Sequence, residues 1–214
     1  MIDVAIIEYN TGNLFSVQSA CTKVGLKSVI TNESKTILSA RSIILPGVGA
    51  FPNAMHELKR NNLDETIKEF VYSGKPLLGI CLGMQVLFEE SDEFEKSKGL
   101  GLIKGKIKKF KFYNEKKYKY AVPHVGWNKI KKDLIGWNSS PLKKNSENDY
   151  MYFVHSFYAE AEDKNDILSL TNYGDQSYCS AIAKKNIFAM QFHPEKSGKN
   201  GIKIYESFKE IINE

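Results

Sequence analysis

Residues 77–87 read LLGICLGMQVL, and this stretch decides how the chain is organised. The run before the cysteine, from Pro76 to Ile80, is almost continuously apolar, as in a strand that is buried on both faces of a parallel sheet. Helix formers follow Cys81, and they predict a helix over 82–90. Glycines at 79 and 83 remove side chains that would crowd a tight turn between strand and helix. The pattern is typical of a nucleophile held on such a turn, with cysteine in place of serine.

Two interpretations of Cys81 remain open at this point. A thiol with its ordinary pKa of about 8.5 is mostly protonated at neutral pH. It becomes a strong nucleophile where a helix N-terminus or a neighbouring base favours the thiolate, and the turn supplies the first of these. The first free N–H groups of the helix also point to a place where an oxyanion can form. The alternative is a small buried hydrophobe, which is the usual fate of a free cysteine.

The best candidate for a base is His193, in the segment MQFHPEKS. It follows an apolar strand, and the proline after it predicts that the chain leaves the strand there. Glu195 lies two residues further on, where an extended backbone directs its side chain to the same side. A carboxylate beside an imidazole fixes its tautomer and stabilises the imidazolium. The alternative is a plain strand end with a surface glutamate, and a shared site requires the strands before Cys81 and His193 to be neighbours.

Hydrophobic periodicity predicts an α/β fold. Strands and helices alternate in the first half, which indicates a mostly parallel central sheet flanked by helices. Between 106 and 192, strand-like runs dominate, which indicates antiparallel strands added to that sheet in the C-terminal half. We expect a single domain over 1–214. The predicted strands of the first half are 3–9, 28–31, 42–47 and 76–80, and the further predicted helices are 13–25, 54–73 and about 200–212.

The composition and the net charge argue against several classes of protein and of binding site. The 214 residues are 42% hydrophobic and 26% charged, with a net charge of +5. We expect no membrane span and no signal peptide, because no apolar stretch is long enough and the start lacks a basic head. Three cysteines without a C-x-x-C pair predict no disulfides, no metal site and a cytoplasmic location. The basic stretch 103–120 is better explained as a half-exposed strand, with Ile107 and Phe110 or Phe112 inward, than as a nucleic-acid site.

Three segments together resemble the class I glutamine amidotransferases of the triad type. They are PGVGAF at 46–51, GICLGMQVLFEES at 79–91 and MQFHPEKS at 190–197. The resemblance implies the flavodoxin-like fold of that family and a catalytic triad of Cys81, His193 and Glu195. It implies glutamine hydrolysis through a cysteinyl thioester, without a cofactor.

Further roles are carried over from the family by position. The resemblance implies that the backbone N–H groups of Gly49 and Leu82 stabilise the oxyanion, although an ordinary turn also explains LPGVG. The alternative for Gln85 is an amide on a helix surface. The substrate-binding residues that the resemblance implies are Gly47, Gln85, Ser156 and Phe157.

Finer motifs point to one branch of the family. GLGLIKGKIKKF at 99–110, VPHVGWN at 122–128 and YFVHSFYA at 152–159 resemble the glutaminase subunits of imidazole glycerol phosphate synthase. Such subunits form a heterodimer with a HisF-like (β/α)8 synthase subunit that uses the ammonia. The positions that match the family's interface with this partner are Asn10, Asn13, Trp127, Tyr152 and Lys196. The alternatives are that the two asparagines are helix caps, that Trp127 is a core aromatic and that Lys196 is a solvated side chain.

Departures from the family pattern leave the partner open. Glu8, Thr11, Lys104 and Phe157 stand where the family more often has other residues. One alternative is a glutaminase that supplies ammonia to a sugar amidotransferase in surface-polysaccharide biosynthesis. Another is a non-catalytic subunit that regulates a synthase, which the intact Cys81 argues against.

Overall fold

The computed structural model describes residues 2–111, 120–134 and 136–214, and a mixed sheet runs through the molecule. Its helices are α1 Leu14–Lys23, α2 Ser34–Ser39, α3 Phe51–Arg60, α4 Leu63–Tyr72, α5 Leu82–Gln85 and α6 Gly198–Asn213. Its strands are β1 Val4–Ile7, β2 Ser28–Thr31, β3 Ser42–Gly47, β4 Leu77–Cys81, β5 Phe88–Ser91, β6 Ser97–Lys98, β7 Ile103–Lys109, β8 His124–Lys129, β9 Lys131–Lys132, β10 Tyr150–His155, β11 Phe157–Ala161, β12 Ile167–Tyr173, β13 Gln176–Lys184 and β14 Ile187–Met190. None of the helices in the described part of the chain is both long and apolar enough to cross a membrane.

The main sheet has a parallel half and an antiparallel half. Its strand order is β2-β1-β3-β4-β14-β13-β11-β7-β5-β6, with β12 paired to β13. The five strands from β2 to β14 are parallel, and β13 and β11 continue the sheet in antiparallel fashion. This arrangement confirms the predicted fold class. The sequences VAII, SIILPG and LLGIC form its centre, because strands this apolar lose most contact with water when both faces are covered.

Helices cover both faces of the parallel half. Alternate residues of β1 point to opposite faces, so Ala5 and Ile7 join one core while Val4 and Ile6 join the other. The first core is closed by apolar side chains of α2, α3 and α4. The second core is closed by α1 and α6, whose Phe208 is completely buried. The result is a three-layer molecule with the sheet in the middle.

The helix predicted over 54–73 is two helices. α3 begins at Phe51 with a proline in its first turn and ends at Arg60, and α4 begins at Leu63. Between them, Asn62 has a left-handed backbone with φ of 54°. A right-handed helix cannot continue through that conformation, and asparagine tolerates it better than most residues.

The helix predicted over 82–90 is wrong in its second half. α5 ends at Gln85, and β5 begins at Phe88. β5 pairs with β7 in parallel and with β6 in antiparallel fashion. These long-range backbone hydrogen bonds override the local helix preference of the segment, because tertiary pairing regularly outweighs propensity.

Two other segments of the C-terminal half refine the prediction. The strand-like run 151–161 is divided at Ser156, where β10 leaves for a separate two-stranded sheet with β8 and β11 joins the main sheet. Ile107 and Phe110 are buried as predicted, whereas the alternative inward residue Phe112 lies outside the described residues.

Candidate active site

Three neighbouring strands end at one place. β4 lies between β3 and β14, and all three are parallel, so their carboxyl ends share one edge of the sheet. The register pairs Gly47 with Cys81 and Ile80 with Met190. Cys81 therefore ends the middle strand, the PGVG loop follows one neighbour, and His193 follows the other. The neighbouring strands that a Cys-His-Glu site requires are present.

The backbone of Cys81 is strained in the way a nucleophile-bearing turn requires. Its φ is 54° and its ψ is −111°, a conformation that costs a non-glycine residue about 1–3 kcal/mol. α5 begins at the next residue and packs directly on β3. A Cβ atom on Gly83 would lie 1.7 Å from the carbonyl oxygen of Leu45, so only glycine permits this approach. The close packing holds the turn in its strained shape.

His193 and Glu195 form a buried pair beside the thiol. The Nδ1 atom of His193 lies 2.8 Å from Oε1 of Glu195, and the side chains are 2% and 1% exposed. Burial lowers the pKa of His193, but interactions with Cys81 and Glu195 outweigh this effect and raise it to about 10. The buried Nε2 atom has no partner at full hydrogen-bonding geometry within the described residues, yet it lies close enough to Cys81 to interact with it. Nε2 is therefore available to exchange a proton with the sulfur.

A cavity of about 310 Å³ opens beside the cysteine. A larger concavity of about 750 Å³ lies elsewhere, against β5, β7 and β11, but its lining contains only glutamates, lysines, glycines and an alanine. The smaller cavity is the candidate active site, because Cys81 of the strained turn lines it. It is lined by Val48, Gly49, Cys81, Leu82, Gln85, Glu93, Pro123, Val154, His155, Ser156 and Phe157.

Both residues that the resemblance implies as oxyanion donors line this cavity. Gly49 has a φ of 100°, and apart from its two chain neighbours no described residue lies within 4 Å of where its Cβ would be. The neighbouring Val48 N–H donates to Oγ1 of Thr11 over 3.1 Å. Gly47 is not among the lining residues, because the Tyr9 hydroxyl covers the position of its missing side chain.

Gln85 is a buried amide, so the interpretation as a helix-surface amide is wrong. Its Nε2 donates to the carbonyl oxygen of Phe157 over 3.0 Å and to Oε1 of Gln191 over 2.9 Å. The carbonyl of Ser156 accepts from the N–H of Phe110. The carbonyls of both predicted backbone residues are thus engaged within the protein, and other atoms of these residues face the cavity.

The sequence interpretation missed two polar residues at the site. Glu93 lines the cavity, and its Oε2 accepts from the N–H of Phe51 over 2.7 Å. Burial raises the pKa of Glu93, while that hydrogen bond and the charge of Lys109 act in the opposite direction. Gln191 is fully buried beside Cys81. It lies two residues before His193, so the two-residue periodicity of a strand is the signal that could have identified it.

Three of the expected interface residues lie together near the site. Trp127 is 54% exposed, so it is not a core aromatic. It is directly opposite Tyr152 in the β8–β10 pair, with 5.9 Å between ring centroids. The ammonium group of Lys196 lies 6.0 Å from the Tyr152 ring, and that ring is 6.5 Å from the His193 ring.

Asn10 and Asn13 do not act as side-chain caps. Asn10 has a φ of 61°, and its Nδ2 donates to Oε2 of Glu57 over 2.7 Å. Asn13 immediately precedes α1, but its side chain makes no capping hydrogen bond. Asn10 also lines a surface depression that it shares with Val48 and Gly49 of the cavity wall.

A neutral histidine network supports the cavity wall. Nδ1 of His155 lies 2.7 Å from the carbonyl oxygen of Phe157, and its Nε2 lies 3.3 Å from the Tyr178 hydroxyl. The same hydroxyl lies 3.2 Å from Nδ1 of His124. Burial lowers the pKa of His155 to about 3 and that of His124 to about 4. His155 is therefore a buried histidine whose two ring nitrogens both have hydrogen-bond partners.

Comparisons with known proteins agree with this geometry. The model of the family "Glutamine amidotransferase class-I" matches residues 5–210. The imidazole glycerol phosphate synthase subunit HisH of Sulfurimonas denitrificans is 47% identical, over 98% of this chain and 99% of its own. The HisH subunits of Lactococcus lactis and Bacillus subtilis are 45% and 42% identical, each over 99% of this chain and over 100% and 97% of their own.

Solved structures have the same fold. A crystal structure of a glutamine amidotransferase superposes with a TM-score of 0.74 at 14% identity, over 99% of both chains. The structure of PurLQS from Thermotoga maritima gives 0.71 at 18% identity, over 98% of both chains. At this level of identity, the structures support the fold, and the sequence relatives support the family. The chain belongs to the class I glutamine amidotransferases and, within them, to the HisH subunits of imidazole glycerol phosphate synthase.

Proposed function

We propose that this chain is the glutaminase subunit of an imidazole glycerol phosphate synthase, and that Cys81, His193 and Glu195 carry out the hydrolysis. The observation that carries the residue assignment is the meeting of a strained cysteine and a buried histidine–glutamate pair at the ends of neighbouring strands. The HisH relatives favour the histidine pathway over a sugar amidotransferase.

The first half-reaction forms a thioester. The Cys81 sulfur attacks the side-chain amide carbon of glutamine, and the carbonyl oxygen becomes an oxyanion. The backbone N–H groups of Leu82 and Gly49 stabilise that oxyanion. His193 donates a proton to the nitrogen as the carbon–nitrogen bond breaks, and ammonia leaves. The Glu195 carboxylate on Nδ1 directs Nε2 toward the reacting atoms.

The second half-reaction returns the enzyme to its starting state. Water attacks the thioester carbon while His193 accepts its proton, and the carbon–sulfur bond then breaks. Glutamate leaves, and the sulfur keeps the bonding electron pair as a thiolate beside the imidazolium. The interactions of His193 with Cys81 and Glu195, which raise its pKa to about 10, favour the protonated imidazolium.

The cavity offers complementary groups for the substrate. Glutamine carries an α-ammonium group, and Glu93 supplies a carboxylate in the cavity wall. Gln85 and the backbone of Ser156 and Phe157 border the same space. A volume of about 310 Å³ fits one amino acid of this size with its polar ends bound.

The rim of the site supports a protein partner. Val125 and Trp127 lie on the same face of β8, and they are 56% and 54% exposed. Their direct partners on β10 are Val154, which lines the cavity, and Tyr152. Exposed apolar side chains that continue a cavity wall mark an interaction surface. A HisF-like (β/α)8 subunit bound there in a heterodimer excludes water, so that ammonia is not protonated before it reacts.

The reaction is tested first at the nucleophile. Cys81→Ala is expected to abolish glutamine turnover in the complex with the cognate barrel subunit, because no thioester forms. Cys21→Ala is the matched control, since this cysteine is buried in α1 away from the site. Turnover by the Cys81→Ala complex at the wild-type rate would contradict the assignment.

The pathway and partner are tested by reconstitution. The chain is combined with a HisF-like subunit, and glutamine-dependent formation of imidazole glycerol phosphate is measured. Trp127→Ala is expected to weaken association about tenfold or more, because exposed aromatics at interfaces often dominate binding. Tyr72→Ala is the control, because it removes an aromatic side chain that is even more exposed (79%) from α4, which ends before β4 begins. Failure to form the product with an active barrel subunit would contradict the proposal.

We also expect the protein to work in the cytoplasm. All three cysteines are free and buried, which fits a reducing compartment.

A further inference from the structure

Gln191 contacts the Cys81 sulfur but is not among the residues that line the cavity. It follows the last residue of β14, and its side chain is fully buried. Its Nε2 lies 3.7 Å from Sγ of Cys81, and its Oε1 lies 2.9 Å from Nε2 of Gln85. The register of β14 against β4 explains the contact, because Met190 is paired with Ile80 and the next residues of both strands are therefore side by side.

The hydrogen-bond network fixes which end of the Gln191 amide faces the sulfur. The carbonyl oxygen of Phe157 can only accept hydrogen bonds. Gln85 therefore presents its NH₂ group to that oxygen, and the second proton of the same group points to Gln191. Gln191 must accept with its oxygen, so its own NH₂ group is directed to Cys81. A flipped amide would place two donors or two acceptors against each other.

We propose that Gln191 is a further catalytic residue, whose side-chain N–H donates a hydrogen bond to the Cys81 thiolate and favours it over the thiol. This proposal rests on the proposed function, since it assumes that Cys81 is the nucleophile. Gln85 acts through Gln191 as a positioning residue, because it holds the amide in the donating orientation.

The surroundings of the sulfur show why such a donor matters. The carbonyl oxygen of Val154 lies 3.9 Å from Sγ, where it accepts from the neutral thiol. That acceptor disfavours the thiolate, and Gln191 opposes it with a donor on the same atom. Hydrogen bonds to ionised groups are about twice as strong as those between neutral groups. The bond therefore stabilises the thiolate more than the thiol.

The titratable groups near the sulfur on other elements are the same in the wild type and in the Gln191 variants. His193 follows β14 and interacts directly with Cys81. Tyr9 follows β1, and burial together with the nearby Cys81 raises the pKa of its hydroxyl, which is therefore neutral. Glu195 lies behind His193, and Glu93 lies across the cavity.

The test measures the pH dependence of Cys81 alkylation by iodoacetamide in the full chain. Burial raises the pKa of Cys21 to about 12 and that of Cys179 further still, so labelling near neutral pH reports Cys81. Gln191→Met keeps the volume and removes the donor. Gln191→Glu keeps the shape and places an acidic group against the sulfur. Gln176→Met is the matched control, since Gln176 donates to the Tyr158 hydroxyl instead.

We expect Gln191→Met to raise the alkylation midpoint by about one pH unit, since a tenfold loss of thiolate corresponds to one unit. Gln191→Glu is expected to raise it further, and Gln176→Met to leave it unchanged. In the complex with the barrel subunit, kcat for glutamine falls about tenfold in Gln191→Met with little change in KM. A purely structural role for Gln191 would not move the midpoint.

The outcomes separate this inference from the proposed function. Equal midpoints in wild type and Gln191→Met, while alkylation still abolishes turnover, would overturn the role of Gln191 alone. Alkylation of Cys81 that leaves turnover unchanged would overturn the proposed function and this role with it. If the variants do not fold, the amide resonances of Gln191 are followed in the wild type and in Cys81→Ala. We expect them to shift as the thiolate forms and to stay constant in Cys81→Ala, and identical behaviour in both would overturn the inference.

Discussion

Replacing Gly83 by alanine tests whether close packing of α5 on β3 sets the position of the reacting groups. The new Cβ would lie 1.7 Å from the carbonyl oxygen of Leu45 and 2.7 Å from its carbonyl carbon. Non-bonded heavy atoms in good contact are about 3.5 Å apart, so α5 and β3 must separate by roughly 1.8 Å. Both atoms in the way belong to the backbone of a central strand, so no side-chain rotation relieves the clash.

This separation displaces Cys81 and Leu82, which begin the turn and the helix. A misplacement of about 1 Å at a reacting centre costs about 100-fold in rate. Overpacking of a buried position costs about 1–3 kcal/mol of stability. We therefore expect Gly83→Ala to fold, to lose about 1–3 kcal/mol in its free energy of unfolding, and to lose at least about 100-fold in kcat.

The assay combines urea denaturation of the chain with glutamine turnover in the complex with the barrel subunit. Gly74→Ala is the control, because Gly74 has a φ of 84° and open space around it, and it precedes β4 at the edge opposite the site. This control is expected to lose about 1 kcal/mol from backbone strain while turnover is unchanged. A folded Gly83→Ala enzyme with turnover within threefold of the wild type would refute the reasoning.

Two further predictions concern titratable groups. Glu195→Gln is expected to lower kcat by at least about 100-fold, because His193 loses its carboxylate partner and its fixed tautomer. Glu206→Gln on α6 is the control. A Glu195→Gln enzyme that keeps more than half of the wild-type kcat would contradict the role of Glu195 in orienting His193. The neutral His124 and His155 have pKa values of about 4 and about 3, below the ordinary 6.5, so the stability that they contribute is present above pH 6.5 and is lost as the pH falls toward those values. On acidification, urea denaturation is therefore expected to show that the free energy of unfolding falls by up to about 1.4 kcal/mol per pH unit for each imidazole. Replacing both histidines by glutamine is expected to make the free energy of unfolding less dependent on pH in this range. The same pH dependence in the double variant and in the wild type would contradict the proposed neutral state of the two histidines.

Local sequence predicted the elements of the parallel half well. β2 and β3 have the predicted bounds, since short apolar runs between turn residues have few other ways to be buried. The break of α3 and α4 at Asn62 was missed, because nothing in the neighbouring residues demands a left-handed conformation. β5 was missed for a different reason, since its pairing partners lie in residues that are distant in the sequence or beyond the next turn.

Of the candidate active site, too, local sequence predicted one part and missed another. Periodicity and turn chemistry identified Cys81 as a candidate at the end of β4, and His193 and Glu195 as candidates after the end of β14. The contacts of Gln191 and the burial of Gln85 depend on the register between β14 and β4, which no local pattern specifies.

The sequence by itself determined most element types of the parallel half, the alternation that produces a parallel sheet and the residues able to perform nucleophilic chemistry. Only the tertiary structure decided which strand ends meet, which amide donates to the sulfur and which aromatic side chains remain exposed at the rim. The physical reason is the distance along the sequence over which each interaction acts. Propensity, periodicity and glycine placement act over a few residues. Strand order and register are instead fixed by backbone hydrogen bonds and burial between segments that can lie more than a hundred residues apart.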